Sequence, residues 1–85
     1  MIDYTIYLRT NPPCPFCINA KKLLESKGKS YEMINIGQDI TREEFQKMFP
    51  DQRTVPLIFK GEEKIGGFTE LKDHFDKNDL GGLSL

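Results

Sequence analysis

Between Ile2 and Leu24 the hydrophobic period changes from two to about 3.6, and this change constrains the fold more than any other feature of the chain. Ile2, Tyr4, Ile6 and Leu8 alternate with Asp3, Thr5, Tyr7 and Arg9, the pattern of a strand. Thr10 to Pro13 break it. From Cys14 onward, Cys17, Ala20, Leu23 and Leu24 fall at helical spacing opposite Lys21, Lys22 and Glu25, and Gly28 is a stop signal, which predicts a helix over 15–28. SYEMINI at 30–36 alternates again, and because both sets are partly apolar it predicts a strand covered on two faces.

Thr41 followed by Glu44 has capping-box spacing and opens a second helix, TREEFQKMF, with Phe45, Met48 and Phe49 on one side before Pro50 ends it. VPLIFK and GEEKIGG read as a hairpin turning at Gly61. A last helix follows, with Thr69 as N-cap and Leu71, Phe75 and Phe68 facing inward. KNDLGGLSL has no clear period, so one domain is expected over residues 1–78, with 79–85 as a mobile tail. The order β-α-β-α-β-β-α gives an α/β fold. The first two strands should pair in parallel through a right-handed crossover and the last two antiparallel, making a four-stranded mixed β-sheet flanked by three α-helices.

At 85 residues there is room for one small core and no second domain. Twelve basic and thirteen acidic side chains leave a net charge of -1, too little field to hold nucleic acid or an anionic membrane. MIDYTIYLRT lacks the basic region and long apolar stretch of a secretory signal, which points to a soluble, cytoplasmic protein.

CPFC at 14–17 carries the chemistry. A structural zinc site usually needs four Cys or His ligands, and this chain offers only Cys14, Cys17 and His74. A structural disulfide across so few residues would constrain little of the unfolded chain. Redox exchange is the remaining reading. Cys14 falls at the strand-to-helix junction, where unpartnered amide N–H groups and the helix dipole favour a thiolate, so it is expected to be ionised, exposed and nucleophilic. Pro15 suits the first helical turn, and Cys17, one turn further in, is the shielded thiol that closes the disulfide. Phe16 is either an exposed spacer or an apolar rim beside the thiolate. His74 is expected to be a solvated surface residue, with Phe75 the inward one.

CPFC at 14–17, TVP at 54–56 and GGFTE at 66–70 together resemble the glutaredoxins of the thioredoxin-like fold, most closely the small dithiol members of bacteria and their phages. The resemblance implies a cis bond before Pro56, with Pro56 opposite Cys14 and the Val55 backbone free to pair with the cysteine residue of glutathione. It places the γ-glutamyl end against Gly67, Phe68, Thr69 and Glu70, and adds Phe16, Arg53, Thr54, Val55 and Pro56 as glutathione contacts beside the redox pair Cys14 and Cys17.

The chain departs from the family pattern at two positions. Phe16 stands where tyrosine is usual, and Asn11 where a lysine is frequent; Arg9 and Arg53 are the candidates to replace that charge. The activity implied is glutathione-dependent thiol–disulfide exchange by a monomer, with glutathione as co-substrate and no tightly bound cofactor. Ribonucleotide reductase is a client implied by the family. Two alternatives are a thioredoxin-like reductant recharged by a flavoprotein reductase, and a module binding an iron–sulfur cluster through Cys14 and glutathione, against which Pro15 argues.

Overall fold

The structure, a computed structural model, describes residues 2–10 and 12–83, with backbone alone over 78–83. The elements are β1 (Tyr4–Leu8), α1 (Pro15–Ser26), β2 (Tyr31–Asn35), α2 (Arg42–Met48), β3 (Leu57–Lys60), β4 (Glu63–Gly66) and α3 (Phe68–Leu83). The strands form one mixed sheet in the order β2-β1-β3-β4, the thioredoxin-like arrangement. β1 lies inside it, parallel to β2 and antiparallel to β3, while β3 and β4 form the antiparallel hairpin that turns at Gly61 with φ 61°. A parallel neighbour requires a crossover, and α1 supplies it.

The alternation of β1 sorts the side chains onto two faces. Tyr4, Ile6 and Leu8 are buried with Ile58, with Ala20 and Leu24 of α1, and with Leu71 and Phe75 of α3. On the opposite face Tyr7 and Phe59 meet Phe45 and Phe49, with ring centroids 5.7 Å (Tyr7–Phe45), 5.2 Å (Tyr7–Phe49) and 5.5 Å (Phe49–Phe59) apart. This aromatic cluster attaches α2 to the sheet. Its N-terminus is closed by a full capping box, in which the Glu44 N–H donates to Thr41 Oγ1 (2.9 Å) and the Thr41 N–H donates to Glu44 Oε1 (2.8 Å).

Because α2 is only seven residues long, packing and not propensity holds it in place. Phe45→Ala is expected to cost about 3 kcal/mol through lost burial and a residual cavity. Urea denaturation would read this as a lower midpoint at an unchanged slope, and a loss below about 0.5 kcal/mol would contradict the assignment of Phe45 as the anchor of α2.

Several expectations are corrected. β2 is an edge strand with no fully buried residue and Met33 is 47 % exposed, so it is not covered on two faces; an edge position leaves one side without a neighbouring strand. Met48 is 51 % exposed, because Phe45 and Phe49, one full turn apart, already take the inward line of the short helix. Thr69 is the second residue of α3 and not its N-cap. The backbone of α3 runs to Leu83, and the last two residues of the expected tail over 79–85, Ser84 and Leu85, lie outside the described residues.

His74 is half-buried and not solvated: its Nε2 lies 3.0 Å from the Tyr4 hydroxyl. A tyrosine carried into a core brings a hydroxyl that needs a partner, and α3 supplies one. Burial, followed by the charges of Asp3 and Glu63, pushes the Tyr4 pKa up. On the other side of the sheet order, the Tyr31 hydroxyl donates to Glu25 Oε2 (2.5 Å) and ties β2 to α1. That bond, ahead of burial and the Glu25 charge, pushes the Tyr31 pKa up to about 12. Its contribution to stability is therefore complete below the ordinary value of 10.0 and is lost as pH rises through about 12.

Candidate active site

The sheet register brings three loops to one end of the molecule. Tyr7 pairs with Leu57, so the chain leaving β1 and the chain entering β3 meet at the same edge; Ile58 pairs with Gly66, which brings the start of α3 there too. There Arg9, Cys14–Phe16, Arg53–Pro56 and Gly67–Glu70 line a groove of about 520 Å³.

Cys14 is the N-cap of α1, with extended backbone (φ -122°, ψ 103°), and Pro15 follows in the first helical turn. The Cys17 N–H points at Cys14 Sγ from 3.2 Å, so one otherwise unpartnered amide of the helix start is spent on the sulfur. The two cysteines form a disulfide, with Cα atoms 5.2 Å apart. Cys14 is not exposed as expected: only 5 % of its surface is accessible, because its sulfur is turned toward Cys17 and lies 3.8 Å from the Val55 carbonyl oxygen. Cys17 is 2 % accessible. Cys14 lines the groove and Cys17 does not; Cys17 borders a smaller cavity of about 220 Å³ on the other side, beside Ile18 and Met33. A reagent arriving through the groove therefore reaches the disulfide at Cys14.

The wall opposite Cys14 is the Thr54–Pro56 turn. The Val55–Pro56 bond is cis, as the resemblance implies. Gln52 Nε2 donates to the Thr54 carbonyl (2.7 Å) and fixes the approach to this turn. Pro56 is buried and Val55 is half-buried at the groove.

At the far end, the Gly67 carbonyl accepts from the Leu71 N–H (2.9 Å), and the Gly67 N–H donates to Glu70 Oε1 (2.8 Å). Gly67 thus stands in the N-cap position with Glu70 closing half of a capping box. Gly66 has φ 123°, a conformation suited to glycine, and a Cβ there would lie 2.9 Å from Glu70 Cγ. Close packing of the Gly66–Gly67 turn on Glu70 is what the GG pair permits.

All of the expected glutathione contacts line this groove: Phe16, Arg53, Thr54, Val55, Pro56, Gly67, Phe68, Thr69 and Glu70. Phe16 is 60 % exposed, and its ring faces that of Phe68 with centroids 6.4 Å apart, so the two form an apolar lip beside Cys14. Of the two charge candidates, both line the groove: Arg53 is exposed, while Arg9 Nε donates to the Pro12 carbonyl (3.2 Å) and braces the turn before Cys14. Asn11 lies outside the described residues. The pairing of Phe16 with Phe68 and the bracing role of Arg9 were missed by sequence reasoning, because both depend on contacts between segments that only the sheet register brings together.

The glutaredoxin family model matches residues 4–65. A glutaredoxin of Neisseria meningitidis is 40 % identical over 81 residues, covering 93 % of this chain and 94 % of that protein. The hybrid peroxiredoxin hyPrx5 of Haemophilus influenzae is 39 % identical over 74 residues, 87 % of this chain, which spans only 30 % of that longer protein. Among solved structures, a buckwheat glutaredoxin–glutathione complex superposes with a TM-score of 0.73 at 26 % identity, over 94 % of this chain and 74 % of that one. With the fold, the Cys14–Cys17 disulfide and these matches in agreement, the chain belongs to the glutaredoxin family.

Proposed function

We propose that this protein is a glutathione-dependent thiol–disulfide oxidoreductase that reduces glutathionylated proteins and protein disulfides in a reducing compartment such as the cytoplasm. The observation that carries the reading is the groove, which is lined by Cys14, Val55 and the first residues of α3. Glutathione lies along it in one direction. Its cysteine pairs with Val55 as an added strand would, its γ-glutamyl carboxylate meets the N–H groups at the start of α3, and its glycine carboxylate extends toward Arg53 and Arg9. Glu70 and the Thr69 hydroxyl are then within the same end of the groove as the γ-glutamyl ammonium and carboxylate. The buckwheat complex supports this reading by showing that a protein of this fold is found with glutathione.

In the reduced enzyme the Cys14 thiolate is favoured by the helix start and by the Cys17 N–H. It attacks the glutathione sulfur of a glutathionylated protein; the S–S bond breaks, the protein leaves as a thiolate and takes up a proton, and glutathione stays on Cys14. A second glutathione thiolate attacks that mixed disulfide, releasing oxidised glutathione and the Cys14 thiolate. For a protein disulfide, Cys14 forms the mixed disulfide with the client and Cys17 then displaces the client, closing the bond seen here. Two glutathiones reopen it. Ribonucleotide reductase, whose disulfide must be reduced in each turnover, is a client of this second kind.

The test is turnover of a glutathionylated peptide with glutathione and glutathione reductase, run beside the same protein with a flavoprotein thioredoxin reductase. Turnover with glutathione alone as reductant is expected. Turnover only with the flavoprotein would transfer the assignment to a thioredoxin-like reductant.

A further inference from the structure

A second cavity of about 460 Å³ continues from the groove and shares Arg9, Arg53, Thr54 and Val55 with it. Beyond those shared residues its wall comes from α2 and the turn after it, chiefly Arg42, Gln46 and Gln52. Among the described residues no carboxylate lines it. Glu44, on the same helix, is held by the Thr41 N–H, and among the described residues neither Arg42 nor Arg53 has a hydrogen-bond or ion-pair partner. Three guanidinium groups therefore face one cavity without an acidic residue among its lining residues.

Resting on the glutathione reading above, the tripeptide ends at Arg53 and Arg9, where the second cavity begins. A polypeptide bound in the same register does not end there. Each further residue adds about 3.3–3.6 Å of extended chain in the same direction. We propose that the second cavity is the docking site for an acidic segment of the protein client, lying immediately C-terminal to its reactive cysteine, with Arg42 as the anchor. Acidic side chains from the second residue after that cysteine onward meet Arg42 and Arg53, and a client with the same charges before its cysteine would place them toward α3 instead. Selection among clients then comes from the direction in which the charge runs, which a protein of net charge -1 cannot achieve through its overall field.

The experiment uses the Cys17→Ser protein and peptides whose single cysteine is capped as a thionitrobenzoate disulfide. Cys14 attacks the peptide sulfur, the mixed disulfide forms and the coloured thionitrobenzoate anion leaves, so its release gives the second-order rate. Five reagents are compared at low ionic strength: a peptide with two acidic residues after the cysteine, one with the same two before it, a neutral amide version, glutathione itself, and cysteamine capped in the same way. The acid-after peptide is expected to react about five- to tenfold faster than the neutral one, and the acid-before peptide without comparable gain. Arg42→Glu is expected to remove that preference and leave the glutathione rate within about twofold, since Arg42 lines only the second cavity.

Equal rates for the two acidic peptides, or a preference that survives Arg42→Glu while glutathione reacts fast, would overturn the docking site alone. Glutathione reacting no faster than the corresponding cysteamine reagent would overturn the register, and with it both readings.

Discussion

Replacing Cys14 by serine is expected to reduce glutathione-dependent turnover of a glutathionylated peptide to background, a fall of about a thousandfold or more. A serine hydroxyl at the same N-cap would accept the same Cys17 N–H, so the helix start should survive, but a hydroxyl does not exchange with a disulfide. The Cys17→Ser protein should keep that turnover, because the glutathione route forms and breaks bonds only at Cys14. It should lose the reduction of protein disulfides whose release depends on closing the 14–17 bond. The asymmetry follows from the structure: the groove reaches Cys14, whereas Cys17 is 2 % accessible and borders a separate cavity. Equal losses in the two variants would mean that the pair works only as a dithiol.

Arg53→Glu is expected to raise the KM for glutathione about tenfold with kcat changed by less than about twofold. Arg53 is exposed at the end of the groove, so its substitution should not disturb the core. Losing one exposed ion pair is worth about 0.2–1 kcal/mol, and reversing the charge replaces attraction by repulsion, which brings the effect near the 1.4 kcal/mol of a tenfold change. A KM effect with kcat kept is the signature of binding shared by ground state and transition state. Arg9→Glu provides the comparison. Because Arg9 Nε is already engaged with the Pro12 carbonyl, it should affect the turn before Cys14 as well as binding. A tenfold rise in KM for Arg9→Glu with none for Arg53→Glu would move the carboxylate anchor to Arg9.

Much of the architecture was legible because it is encoded locally. The alternation of Tyr4, Ile6 and Leu8, the Thr41–Glu44 capping box and the turn at Gly61 each depend on neighbours within a few residues, and each element is found. The helix after CPFC was legible for the same reason. What was hidden depends on long-range pairing. The antiparallel pairing of β1 with β3 has no local signal, yet it turns β2 into an edge strand and exposes Met33. The bond between Tyr4 and His74 spans 70 residues. The burial of Cys14 follows from where its sulfur turns once the disulfide closes, and the continuation of the groove toward Arg42 follows from where α2 packs. The motif residues of the site were readable as a set, but the second cavity that shares Arg9, Arg53, Thr54 and Val55 with their groove was not.

The measurement that bears most directly on the central claim is peptide mapping of the Cys17→Ser protein after reaction with oxidised glutathione. A single glutathione bound through a disulfide to Cys14, removable by reduced glutathione, is the predicted result. A protein that stays unmodified at Cys14 while the same reagent modifies an exposed cysteine peptide would contradict Cys14 as the nucleophile and the groove as a glutathione site.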